Sequence, residues 1–238
     1  MIYVGTSGYN YPEWRGTFYP EGCPAKKMFE FYAGHFRTVE INATFYRMPT
    51  QKITTGWLEQ APPGFRYALK APKQITHIKR LKDCGDPLAF FCDSARVLGG
   101  HLGPLLFQLP PNFRADLSRL EGFLKLLPSD VMAAVEFRHE SWLTEDTYTL
   151  LRAYRAALCI VDFGDTSTPM QATAAHGYLR LRDEGYGPAD LERWAVEVLT
   201  HTASWPDTYV FFKHEEQGKG PEFAKAFLEI LKARGSGI

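Results

Sequence analysis

Apolar, branched and aromatic residues gather along the chain in short runs of strand length. The runs are IYVGTS (2–7), TVEINATF (38–45), FRYALKAP (65–72), PLLFQLP (104–110), VMAAVEFR (131–138), AALCIVDF (156–163), GYLRLRD (177–183) and TYVFFKH (208–214). Between most of them apolar positions recur at three- and four-residue spacing, the period of a helix lying on a core. Helices are therefore expected at 25–35, 51–60, 86–99, 116–127, 144–155, 188–202 and 221–234, with Thr50 and Asp86-Pro87 among the start signals. Alternating strand and helix mean a parallel sheet, and eight strands are the number that closes into a (β/α)8 TIM barrel. An open doubly wound sheet is the rival. One repeat lacks its helix: GDTSTPMQATAA (164–175) contains Pro169 and no helical period, so an irregular connection is expected after the sixth strand. No linker or composition break divides the chain, and 1–238 reads as one barrel domain.

Side chains alternate along a strand, so residues two apart share a face. Every run but the first carries a polar or charged residue toward its C-terminal half, flanked by apolar neighbours of the other parity. These are Glu40 with Asn42, Lys70, Gln108, Glu136 with Arg138, Asp162, Arg180 with Arg182, and Lys213. Barrels build their active sites at that rim, so the groups are expected to meet in one cavity. Ionised groups so near a core must be paired, which predicts an interlocked network. The plainer alternative is a set of ion pairs that only plugs the barrel.

Composition narrows the partners more than the chemistry. Lys plus Arg number 27 and Asp plus Glu number 27, so no long-range pull on nucleic acid or anionic membrane is built into the whole molecule. Cys23, Cys84, Cys92 and Cys159 show neither a C-x-x-C pair nor zinc-ribbon spacing, and free thiols are expected. MIYVGTSG lacks the layout of a signal peptide and no apolar run is long enough to span a bilayer, so a cytoplasmic protein is expected.

GTSGYNYPEWRGTFYP (5–20), TVEINATFYRMP (38–49), KAPKQITHIKR (70–80), FQLPPNF (107–113) and VEFRHESW (135–142) resemble the family called domain of unknown function 72, the YecE-like proteins. The similarity runs from Met1 to the final helix, although KHEEQGKGPEF (213–223) resembles one branch of the family only. The resemblance implies a TIM barrel, in agreement with the strand count, and brings no settled activity.

At the expected mouth Lys70, Arg138, Arg180, Arg182 and Lys213 outnumber Glu40, Glu136 and Asp162, an excess of fixed donors that suits a phosphate- or carboxylate-bearing ligand. Glu136 is the first candidate for a general acid/base and Asp162 the second, with Lys70 beside them. Glu40, Asn42, Gln108, Arg138, Arg180, Lys213 and His77 are expected to bind substrate. Trp14, in an aromatic first loop, is placed either against substrate or in a packed lid. Gly218, Lys219 and Gly220 form a candidate phosphate turn ahead of the last helix; the plainer reading is an ordinary turn with Pro221 as a first helical residue. No cofactor is expected. A divalent metal on Glu40, Glu136 and Asp162 stays open as an alternative, against which stand the neighbouring Lys and Arg. Ser7 does not match the nucleophile elbow G-x-S-x-G. Residues 60–82 carry Arg66, Lys70, Lys73, Lys79, Arg80 and Lys82 without one acid, a stretch that suits either a phosphodiester track or a solvated face.

Three functions fit these residues. The leading one is an enzyme, hydrolase- or lyase-like, acting by acid/base chemistry on a small anionic substrate. The second is a nucleic-acid-binding or nuclease/repair-type protein resembling barrel-fold apurinic endonucleases, although those gather metal-binding histidines that this mouth lacks. The third is a non-catalytic binder of an anionic metabolite. No signal for an oligomeric state stands in the residues.

Overall fold

A computed structural model describes residues 1–163 and 166–236. The eight apolar runs form strands β1 (Ile2–Ser7), β2 (Thr38–Ile41), β3 (Arg66–Lys70), β4 (Leu102–Gln108), β5 (Ala133–Glu136), β6 (Ala157–Phe163), β7 (His176–Leu181) and β8 (Asp207–Phe212). Each pairs in parallel with its neighbours, β8 returns to β1, and the β5–β6 pairing completes a closed cylinder. The open sheet is thereby excluded. Helices α1 (Ala25–Ala33), α2 (Gln51–Gln60), α3 (Gly85–Arg96), α4 (Leu117–Leu124), α5 (Glu145–Ala153), α6 (Pro188–Thr200) and α7 (Lys219–Ala233) surround it. Asp116 and Thr144 accept hydrogen bonds from the first-turn backbone N–H groups of α4 and α5 and so fix where those helices begin. No helix of the described residues is long and apolar enough to cross a membrane.

The sixth connection carries no helix among its described residues. Thr166–Ser167 instead form a two-residue strand folded back antiparallel on β6, and the chain reaches β7 without further regular structure. Six of the eight runs end sooner than their apolar character predicts, and two of these endings shape the mouth. Past Ile41 the Thr44 hydroxyl donates to the carbonyls of Ile41 (3.0 Å) and Lys70 (2.6 Å), turning Ala43–Tyr46 into a short helical segment. β5 stops at Glu136, which leaves Arg138 on the rim.

Parity decides what fills the cylinder. Tyr3, Ala68, Leu106, Ala134, Ala157, Cys159, Val161, Tyr178, Tyr209 and Phe211 form a separate interior cluster, with Tyr3 stacked on Tyr209 at 4.8 Å. Small Ala and Cys side chains face large Tyr and Phe rings, so the lower barrel is solid. Above this plug the inward side chains turn polar. The first loop closes over one side of that rim: Trp14 is fully buried, and its indole N–H donates to the Glu215 carbonyl at 2.8 Å, joining the loop after β1 to the loop after β8. All four cysteines are buried free thiols.

Candidate active site

Directly above the apolar plug, Arg180 of β7 stands at the centre of a buried network. Its Nη2 lies 2.9 Å from Glu40 Oε1 and its Nη1 lies 2.6 Å from Glu136 Oε2. Nη1 also reaches Gln108 Oε1 at 3.2 Å, and Nη2 reaches Ser7 Oγ at 3.3 Å. Tyr178, two residues before Arg180 and so on the same face, donates its phenol to Glu40 Oε2 at 2.6 Å. Ser7 donates to the other Glu40 oxygen and accepts from Asn42 Nδ2 at 2.8 Å. Arg138 forms an ion pair with the outer oxygen of Glu136. Six strand ends meet here because the polar residue of each has inward parity: Ser7, Glu40, Lys70, Gln108, Glu136 and Arg180 belong to β1, β2, β3, β4, β5 and β7.

Burial opposes charge on Glu136, but the Arg180 and Arg138 guanidiniums outweigh it and hold the carboxyl down at about 2. Glu40 is likewise raised by burial yet ends below the usual carboxylate range, through Arg180 and the Ser7 and Tyr178 hydrogen bonds. Both are therefore fixed anions across the physiological range. Near neutrality Glu136 is thus ionised and paired with both Arg180 and Arg138.

Lys70 differs. Its side chain lies almost wholly inside the protein, with Nζ 4.3 Å from the centroid of the Phe45 ring. Burial first, and then the Arg180 charge, push its ammonium down to about 8. Against the same Phe45 ring stands His77, 4.9 Å between ring centroids and nearly perpendicular. Burial and the nearby Lys70 lower the His77 imidazole too, so it is neutral at pH 7. The cleft beside β5 and β6, about 270 Å³, is lined by Arg138, His139, Val161 and Thr168. A second of about 420 Å³ is lined by Arg182, Lys213, His214 and Glu215. A larger cavity of about 560 Å³ lies between α1 and α2 and holds no strand-end residue, so volume alone does not mark the site.

The model of the family described as "Protein of unknown function DUF72" matches residues 3–238. The chain belongs to that family. It is 33% identical to the UPF0759 protein YecE of Escherichia coli (strain K12) over 155 residues, a match that covers 64% of this chain and 54% of the other. To the UPF0759 protein YunF of Bacillus subtilis (strain 168) it is 24% identical, over 100% of this chain and 97% of that one. A DUF72 family protein from Thermotoga maritima superposes with a TM-score of 0.82 at 27% identity, covering 98% of this chain and 99% of that chain. One from Enterococcus faecalis reaches 0.81 at 18% identity, which shows the shared barrel. None of these names states an activity.

Several expected site residues lie elsewhere in the DUF72 barrel. Asp162 points outward under the helices. Its Oδ2 accepts from the Tyr186 hydroxyl at 2.9 Å and the Trp194 indole at 2.8 Å, so it fastens α6 to β6 and takes no part in the mouth. The reason is parity: Cys159 and Val161 are the inward residues of β6, packed among Tyr178 and its neighbours. Trp14 offers no face to a substrate, being wholly enclosed by Tyr11, Phe18 and Tyr19. In the turn before α7, Gly218 has a left-handed φ of 75°, and a Cβ there would collide with Thr17. A Cβ on Gly220 would come 2.7 Å from the His214 carbonyl oxygen. Close packing accounts for both glycines, while Lys219 pairs with Glu222 at 2.8 Å and lines the cleft shared by Arg182 and Lys213. The basic stretch does not make one face: Arg66 opens β3 beside Tyr3, while Lys70 closes it at the opposite end of the cylinder. Arg80 donates to Asn112 and Lys79 to the Asp83 carbonyl. Lys213 remains on the rim, 3.3 Å from Glu215. Among the described residues no group of three or more His, Cys, Asp or Glu stands together to hold a metal.

Sequence reasoning misses Ser7, Tyr178 and Phe45. Parity with Tyr3 and Gly5 gives Ser7, and parity with Arg180 gives Tyr178. Phe45 has no such signal, because it lies in the helical segment that replaces the expected end of the second strand.

Proposed function

We propose that this DUF72 barrel is an enzyme that acts by acid/base chemistry on a small phosphate- or carboxylate-bearing molecule held at its C-terminal mouth. The observation that carries this reading is Lys70: an inward lysine at a strand end, nearly buried, on an aromatic ring, with its ammonium brought to about 8. An amine so placed carries both protonation states near neutral pH, which is what a proton-transfer group needs. His77 is its partner across Phe45. Arg138 and Arg182 supply the fixed donors for the anionic group, and Arg180 with Glu40 and Glu136 forms the rigid frame beneath. Relative to the sequence expectation, the acid/base role passes from Glu136 to Lys70. The ion pairs do more than plug the cylinder in this reading, because an apolar plug already lies below them.

The test is thermal unfolding against a panel of sugar phosphates, nucleotides and organic acids, with turnover of every stabilising compound followed by NMR. A stabilising anion is expected, weakened by Arg138→Ala and consumed by the native protein but not by Lys70→Met. Stabilisation by no compound removes the reading; binding unaccompanied by turnover leaves a metabolite binder.

A further inference from the structure

Among the described residues five of the twelve lysines find a carboxylate, and all five are more exposed than Lys70. Lys27, Lys125, Lys213, Lys219 and Lys232 all stand in ion pairs. Lys70 is far more buried than any of these, and there the need for a counter-charge is greatest. Yet among the described residues its Nζ makes no hydrogen bond and no ion pair, and it lies over the face of Phe45. Two carboxylates are near enough to act on it electrostatically, but both are held by Arg180, and Glu136 by Arg138 as well. Nor is the nitrogen sealed off, since it is absent from the fully enclosed polar atoms, which include Arg180 Nε and Asn42 Oδ1.

An anchor for an anion needs none of this. A lysine that only binds charge works best fully protonated and well hydrated. Withdrawing the carboxylates from an amine, setting it on an apolar wall and leaving its lone pair reachable from the mouth are the requirements of a nucleophile.

We propose that Lys70 forms a covalent iminium with an aldehyde or ketone that carries an anionic group. This rests on the reading of the mouth as an anion-binding acid/base site and names its substrate class as carbonyl compounds. The neutral amine of Lys70 attacks the carbonyl carbon; the C–N bond forms as the C=O π pair moves onto oxygen. One proton passes from nitrogen to the new alkoxide through His77, giving a carbinolamine. A second, drawn from solvent through the same ring, lets the hydroxyl leave as water, and the nitrogen lone pair closes the C=N⁺ bond. Arg138 and Arg182 hold the anionic end away from the amine. The iminium then acts as the electron sink for loss of a neighbouring proton or carbon substituent, which agrees with a lyase-like reaction.

Reductive trapping tests the proposal. The full chain is incubated with dihydroxyacetone phosphate, pyruvate or formaldehyde (the smallest carbonyl), treated with sodium cyanoborohydride, and read by intact-mass and peptide mass spectrometry. Formaldehyde is expected to modify Lys70 roughly ten-fold or more ahead of the exposed lysines at pH 7.5. At least one of the anionic carbonyls should leave a single adduct per chain on Lys70, absent from Lys70→Arg. Peptide mapping of the native protein gives the site even where that variant folds poorly. Labelling spread over surface lysines, or an unlabelled Lys70, overturns the proposal. Thermal shift with the same compounds lacking reductant separates the two readings. Stabilisation with no trapped adduct sinks the iminium alone; selective formaldehyde labelling without stabilisation by any anion keeps the nucleophile and sinks the anion site.

Discussion

Arg180 holds Glu40 and Glu136 at once, through different nitrogens at 2.9 and 2.6 Å, and all three side chains are closed to solvent. Each carboxylate depends on the same cation. Replacing Arg180 with Met strands two buried anions, and a loss of about 3–5 kcal/mol in unfolding free energy is expected. Urea denaturation at pH 7 measures it. A loss below about 1 kcal/mol would mean that neither carboxylate relies on Arg180 for its charge.

Acid titration reads the same network from the other side. Glu136 has its folded value depressed to about 2 from an ordinary 4.5, and Glu40 is depressed as well. A depressed carboxyl contributes stability that is fully present above its unfolded value and lost as pH falls through the folded one. Unfolding free energy should therefore decline from pH 5 toward pH 2. Glu136→Gln should flatten that slope, and an unchanged slope in this variant would count against the Arg180 and Arg138 pairing.

Lys70 gives the opposite signature at the alkaline end. Its folded value is about 8 against an ordinary 10.5, so between those limits the unfolded chain binds the extra proton. Stability contributed by this group rises with pH across that window. Denaturation at pH 7.5 and pH 10 is expected to show the increment in the native protein and not in Lys70→Met. Equal increments in both would assign the ammonium an ordinary value.

Asp162 separates structure from chemistry. Asp162→Ala removes the acceptor of both Tyr186 and Trp194, and about 2 kcal/mol of stability is expected to go with it. Trapping at Lys70 should continue at the native rate at temperatures where the variant stays folded. A trapping defect in the folded variant would return Asp162 to the mouth.

Much of this can be read from the residues, and the failures have one physical source. The strands of Glu40, Lys70, Gln108, Glu136 and Arg180 each have one apolar and one mixed parity, so the inward face declares itself. β6 obeys the same pattern, with Asp162 on the parity of Leu158 and Ile160, yet here the wholly apolar parity is the inward one and the rule turns Asp162 the wrong way. The discriminating sign is size: Ala157, Cys159 and Val161 are the small side chains that make room for Tyr178. The role of Glu136 is out of reach for another reason. Its proton affinity depends on how two guanidiniums approach it, and alternation along a strand carries no distances.

The order in which the mouth is synthesised has a consequence for how the barrel assembles. Glu40 leaves the ribosome 140 residues before the guanidinium that neutralises it. Until β7 emerges, a cylinder closed around Glu40 would trap a carboxylate without its guanidinium in a medium that cannot solvate it. The early strands must therefore remain wet at their upper ends, and final closure waits for the last quarter of the chain. A fragment ending at residue 163 is expected to exchange the amide hydrogens of β2 and β5 freely, whereas one extended through residue 214 should protect them.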